Sequence, residues 1–340
     1  MNSIGIDLHS STVFMVALNK EGKTLFARER ETSAPALIEL LQLVPGPRQV
    51  MIEECHMTQW AFSVLKPFAD KLVVCEPREN SWIYKSERND DRTSAHKLAD
   101  LLRMGMFKEV YHGEDEIAEL RSLYILYADC TQDIVRCKNR VKAAFRCVAV
   151  RPGSGVYSKD KRSHVLEKLK DYKAEQFRAE SFLRQLDDYE NLRDKVFAKA
   201  NKLARKNSVY KLLKTIPGVG DVIATGYIAT IATAHRFGKK SEITTYAGFS
   251  PCRRDSGAKN ATDTASYNGN RLLKCLVSQQ FNAATKVSKD NRFKRHYLAL
   301  LERGVQPGNA RRNTCRRIID TVRAIWISAK AYDDTHVSRA

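Results

Sequence analysis

No apolar run in these 340 residues approaches the roughly 20 needed to span a bilayer, so no membrane span is expected. The N-terminus enters an alternating apolar stretch at once. It lacks the charged, apolar and small-residue order of a secretory leader, and no signal peptide is expected. Eight cysteines stand at positions 55, 75, 130, 137, 147, 252, 275 and 315, yet none forms a C-x-x-C pair. That scatter speaks against a zinc ribbon or a disulfide framework and reads as reduced thiols in a cytoplasmic protein. Acid is scarce as well: 39 Asp and Glu face 58 Lys and Arg, for a net charge of +19. Such a balance points to a polyanionic partner, nucleic acid, over a generically basic surface.

What is present begins with Ile4-Gly5-Ile6-Asp7-Leu8-His9, a short apolar strand that delivers one carboxylate to its end. A second alternating run, Thr12 to Leu18, follows immediately and reads as the other arm of a hairpin. Thr24 to Arg30 is a third strand. Pro35 to Val44 reads as a helix capped by Ser33 and stopped by Pro45-Gly46-Pro47. Gln49 to Glu54 is a fourth strand ending in two acids, Trp60 to Leu65 a helix, and Lys71 to Cys75 a buried strand. Asp91 to Met104 is an amphipathic helix. Hairpin strands followed by mixed β/α elements predict an α/β layer fold for residues 1–112.

Residues 113–207 change character. Leu120, Tyr124, Tyr127, Ile134, Cys137, Val141, Phe145 and Val148 recur at helical seam spacing, as do Phe182, Leu186, Tyr189, Leu192, Val196, Ala200 and Leu203. Two long helices with narrow seams predict an antiparallel hairpin or a coiled-coil assembly contact. Residues 208–340 are helical and basic. Ile216-Pro-Gly-Val-Gly220 between two helical patterns has the form of a helix-hairpin-helix turn, whose Gly218 and Gly220 would let the backbone approach a phosphate. The loop around Arg253, Arg254, Asp255, Ser256 and Gly257 offers a hydroxyl beside two cations, and Ser266 precedes a helix starting at Arg271. Arg311, Arg312, Arg316 and Arg317 read as a basic stripe for a nucleic-acid backbone.

A phosphoryl-transfer site needs carboxylates that converge from distant segments. Asp7 ends the first strand. Glu53 or Glu54 ends the fourth, and alternation puts one of them beside Asp7. Asp91 opens a helix. Position 94, one turn along on the same face, carries Ser94 where a fourth acid would be expected, and Asp100 falls on the opposite face. The chain therefore offers three acids and a hydroxyl. An actin-like ATPase also begins with a strand ending Gly-x-Asp, but the further glycine-rich phosphate loops of that fold are missing here.

These pieces, in this order, resemble the Piv-type DNA invertases and the related D-E-D-D insertion-sequence transposases. The resemblance covers nearly the whole chain. It rests on Gly5-Ile6-Asp7, Ile52-Glu53-Glu54, Asp91 to Ala99, Ile216 to Gly220, and Ala247 to Pro251 running on to Asp255-Ser256-Gly257. It implies an RNase H-like (RuvC-like) N-terminal domain holding Mg2+ on Asp7, Glu53 and Asp91. It also implies a C-terminal transposase domain in which Ser256 becomes covalently joined to DNA. Its further implications are donor and target DNA bridged by a structured non-coding guide RNA, assembly as a homodimer or homotetramer through the seam helices, and a nucleoid-associated location in a bacterial cytoplasm. The family's fourth acid aligns with Ser94, which leaves open a natural variant, a decayed copy or an engineered knock-down. Two other functions compete: a metal-only nuclease or resolvase, and a nucleic-acid-binding copy with impaired catalysis.

Overall fold

The computed structural model describes residues 1–76, 90–113, 115–252, 264–265, 269–286 and 289–334, with backbone alone at 251–252 and 264–265. The chain forms two compact units, Met1–Asp115 and Glu116–Ala340.

The first unit is built on a five-stranded sheet of β1 (Asn2–Leu8), β2 (Thr12–Leu18), β3 (Thr24–Glu31), β4 (Arg48–Glu53) and β5 (Lys71–Cys75), in the order β3-β2-β1-β4-β5. β1, β2 and β3 pair antiparallel, whereas β4 and β5 join parallel to β1. This mixed order, with helices on both faces, is the expected RNase H-like arrangement. One face carries Ile4, Ile6, Val13, Met15, Val50 and Ile52 against α1 (Ala34–Gln42) and α2 (Thr58–Leu65). Ser33 caps α1 by accepting from the Ala36 amide at 3.3 Å.

The opposite face carries α3 (Asp91–Met104). Leu98, Leu101 and Leu102 pack on Met51, Val73 and Cys75, while Ala95 and Ala99 sit over Val16 and Leu18. The helix comes unusually close to β1. A Cβ placed on Gly5 would lie 2.0 Å from the Ala95 carbonyl oxygen and 2.5 Å from the Ala99 nitrogen. Only hydrogen at position 5, opposite two alanines, permits this spacing. At its far end α3 stops at Gly105 in the left-handed region, φ +68°, as C-terminal glycines do.

The second unit opens with α4 (Asp115–Arg146) and α6 (Lys173–Ala204), each of 32 residues, linked through the short helix α5 (Arg162–Leu166). They run antiparallel: Tyr127 meets Phe197 with ring centroids 5.3 Å apart, and the Lys138 ammonium lies 3.3 Å from Glu190. Ile134, Cys137, Val141 and Phe145 close a core with Ala179, Leu183 and Leu186, so the seams pair within one chain. At the other end Leu120, Tyr124, Ala200 and Ala204 enter a larger core. It is shared with α7 (Val209–Leu213), α8 (Asp221–Ile231), α9 (Lys240–Tyr246), α10 (Arg271–Lys286), α11 (Arg292–Glu302) and α12 (Pro307–Ser328). A two-residue ladder, β6 (Pro251–Cys252) with β7 (Thr264–Ala265), interrupts what the sequence reads as purely helical. Strands this short carry no periodicity to detect. No helix among the described residues is long and apolar enough to cross a membrane.

The Gly5 contact makes a direct test. Gly5→Ala must push α3 off the sheet, and overpacking of this kind costs about 1–3 kcal/mol. Urea unfolding of the purified protein should show that loss. An unchanged midpoint would mean that the contact is not tight in solution.

Candidate active site

β1 ends where the sheet opens toward the N-terminus of α3. Alternation along β1 places Gly5 and Asp7 on the α3 face, opposite Ile4 and Ile6. The Asp90 side chain accepts from the Thr93 amide at 2.6 Å and caps α3, so that Asp91 stands in the first helical position. Because Gly5 lets α3 lie close, Asp91 and Ser94 reach the end of β1. Ser94 stands near enough to Asp7 for its hydroxyl to favour the ionised carboxylate.

A histidine that sequence reasoning passed over completes the group. His9 Nε2 lies 3.3 Å from Asp7 Oδ1 and 3.6 Å from Asp91 Oδ1. Ligand atoms from Asp7, His9 and Asp91 all fall within 4.8 Å of one another. The signal was available: two residues past Asp7, strand alternation returns to the same side. The backbone of His9 is fixed too, its N–H donating to Thr12 O at 2.9 Å and its carbonyl accepting from Thr32 Oγ1 at 2.8 Å.

Glu53 lies one step beyond the Ile6–Ile52 register pair, on the same sheet face as Asp7, but outside the close trio. Glu54 is committed elsewhere. Its carboxylate sits 2.6 Å from Nε2 of the largely buried His112, whose Nδ1 is 3.0 Å from Gln59 Oε1. Of Glu53 and Glu54, it is therefore Glu53 that shares Asp7's side. Asp100 turns to His96 and Arg103, at 3.2 and 2.9 Å, as its position on the helix predicts.

Burial pushes the Asp7 carboxyl above the ordinary carboxylate range. The charge of His9 and hydrogen bonds from His9 and Ser94 act against that rise, whereas repulsion from Asp91 adds to it. Two carboxylates and an imidazole, convergent and partly desolvated, form a donor set that fits a divalent cation.

In the second unit, Arg253, Arg254, Ser256 and Ser266 lie outside the described residues. The base of their segment is described: Pro251 pairs with Ala265 and Cys252 with Thr264. Just before it, Arg316 Nε donates to the Phe249 carbonyl at 2.7 Å. Just after it, the Asn270 amide donates to Tyr246 O at 2.7 Å, and Gly269, at φ +110°, abuts the Gly248 backbone. Arg271 opens α10 with its side chain exposed.

Two sequence expectations change here. Gly218, at φ +83°, faces inward: a Cβ there would come 2.7 Å from the Gln280 carbonyl oxygen, so its α-carbon packs against α10. Gly220 faces open space and precedes α8, where Asp221 sits with Lys214 at 2.5 Å. The four arginines of α12 do not make one stripe. Arg311 is exposed and lies over the Phe281 ring, and Arg312 bonds Asn309. Arg316 is spent on Phe249, and Arg317 contacts His296 Nδ1 at 2.9 Å.

Two family models match the chain in order. One, described as a transposase of the DEDD IS110 kind, covers residues 4–148; the other, the transposase IS116/IS110/IS902 family, covers residues 210–298. Together they span more than half the chain. It belongs to the IS110/IS116 transposase family. The chain is also 22% identical, over 95% of its length and 94% of the other's, to the insertion element IS116 uncharacterized 44.8 kDa protein of Streptomyces clavuligerus. A transposase of an insertion element acts on DNA, and the DEDD class suggests dependence on a divalent metal ion. In this transposase the first match contains Asp7, Glu53, Asp91 and Ser94, and the second contains the Pro217–Gly220 turn and Ser256.

Asp7 carries a pH prediction for the metal-free transposase. Its folded pKa is raised, so the folded state binds more protons than the unfolded one between the ordinary value of 3.8 and the raised value. Stability attributable to Asp7 therefore falls as pH rises through that window and stays lost above it. Asp7→Asn should raise the melting temperature at neutral pH, and the gain should shrink as pH falls toward the ordinary carboxylate range. A variant less stable than the parent at neutral pH would contradict this.

Proposed function

We propose that this transposase cuts and rejoins DNA strands through a covalent serine–DNA intermediate. Ser256 would be the nucleophile, and a divalent-metal site on Asp7, Glu53 and Asp91 would assist. The observation that carries the reading is the meeting of Asp7 and Asp91 at the end of β1 in a chain of this family. A divalent ion bound there, with Mg2+ the family's implied choice, would stabilise charge on a phosphate. The serine step balances without an outside energy source. The Ser256 oxygen bonds to phosphorus, the bond from phosphorus to a strand oxygen breaks, and that oxygen leaves as a hydroxyl carrying the proton. A hydroxyl from another strand reverses the exchange and rejoins the DNA. Arg253 and Arg254 would offset charge on the phosphate during attack.

Sequence choice would come from a structured non-coding guide RNA bridging donor and target DNA. This suits a strongly basic chain whose candidate contacts, at Gly220, Ser266, Arg271, Arg311 and Arg312, are of the phosphate-backbone type. Assembly as a homodimer or homotetramer would use the helical hairpin of 113–207, which exposes Ile125, Leu126, Val135 and Leu192. The protein would act on chromosomal DNA in the nucleoid, with residues 208–340 as the transposase domain. A metal-only nuclease or resolvase is the alternative. Ser94 motivates a second, a copy whose catalysis is impaired.

Incubation with end-labelled DNA, flanking non-coding RNA and Mg2+ should yield a protein–DNA adduct that survives denaturation. Ser256→Ala should abolish the adduct while DNA binding persists. Mg2+-dependent cleavage with no adduct would establish the nuclease reading. Tight, salt-sensitive binding without strand breakage would establish the impaired copy.

A further inference from the structure

Resting on the metal-site reading above, we propose that His9 is itself a metal ligand. With Glu53, the site would then be three carboxylates and an imidazole, favouring Mn2+ over Mg2+ more strongly than a site built of carboxylates alone. Neighbouring ligands of one octahedral ion, each about 2.1 Å from it, stand roughly 3 Å apart, and opposite ligands about 4.2 Å. His9 Nε2 lies 3.3 Å from Asp7 Oδ1 and 3.6 Å from Asp91 Oδ1, within the span that ligands of a single ion occupy.

Position 94 shows why a further donor is wanted. Ser94 brings a neutral hydroxyl near Asp7 and no charge of its own. The site is thus one anion short of four acids, and the nearby imidazole supplies a lone pair in its place. The main-chain bonds of His9 to Thr12 and Thr32 hold its backbone at the mouth of the hairpin. Its exposed side, 54% accessible, leaves room for water or a phosphate oxygen to complete the shell. Imidazole nitrogen suits first-row transition ions, whereas Mg2+ takes oxygen and keeps its waters. The ligand change therefore alters which metal is preferred.

The test uses the full-length protein and Mn2+ alone, with binding followed by electron paramagnetic resonance and Mg2+ added as competitor. Parent protein should bind Mn2+ and show pulsed-resonance nitrogen coupling from a directly bound imidazole. His9→Ala should remove that coupling and weaken Mn2+ by about tenfold or more, as loss of a metal-site group does, while changing Mg2+ affinity less. Ser94→Asp should shift selectivity back toward Mg2+. An unchanged circular dichroism spectrum and melting temperature for His9→Ala would show that folding is intact. If the parent binds Mn2+ in an Asp7-dependent way but lacks nitrogen coupling, and His9→Ala keeps the parent's selectivity, then His9 only pairs with the acids and the proposal is overturned. If the parent binds no more Mn2+ than Asp7→Asn, the metal-site reading itself fails, and this proposal falls with it.

Discussion

Everything in the first unit that bears on chemistry depends on one close approach, the α3 backbone lying on β1 at Gly5. Side chains normally hold a helix well clear of a sheet. Here a glycine in the strand faces Ala95 and Ala99 in the helix, and the two main chains nearly touch. The consequence is positional. α3 is capped by Asp90, so its first turn is fixed in place, and the short helix-to-sheet distance brings that turn level with the end of β1. Asp91 and Ser94 then meet Asp7 without any long flexible side chain reaching across a gap. Short carboxylates on regular elements lose little freedom when they bind an ion, which is how a rigid scaffold serves a metal site.

The second unit uses the same device for a different end. Gly218 lies against the α10 backbone, Gly226 against the Tyr124 ring, and Gly269 against Gly248. Tyr227, fully buried, donates to Gln280 Oε1 at 2.5 Å, and Gln280 Nε2 donates to the Pro217 carbonyl at 3.0 Å. These contacts draw the 216–220 turn, α8 and α10 into one core. Tyr246, Phe249 and Asn270, tied to one another or to α12, frame the backbone on either side of the segment that contains Ser256. Gly218 belongs to this packing, whereas Gly220 faces open space.

Much of this was legible from the sequence because the relevant signals are local. Alternation in β1 and β4 put Asp7 and one of Glu53 and Glu54 on a common side, and the structure gives that side to Glu53. Seam spacing revealed the helical hairpin, and helical geometry sent Asp100 away from the site. What stayed hidden was nonlocal or ambiguous. Gly5 looks like any strand glycine until Ala95 and Ala99, some 90 residues on, are seen above it. His9 reads as the last residue of the first strand, on the side of Asp7, but nothing local says that a helix end will arrive beside it. Arg316 and Arg317 read as part of a basic stripe for a nucleic-acid backbone, although one bonds a main-chain carbonyl and the other a histidine. Charge in a sequence records what a side chain carries but not what it faces.

The most direct test of the account is the position of the metal. A crystal of the full-length protein grown with Mn2+, measured at the manganese absorption edge, should show an anomalous peak between the end of β1 and the first turn of α3, within bonding distance of Asp7 and Asp91. A well-occupied peak elsewhere, with those two carboxylates left unbound, would contradict it.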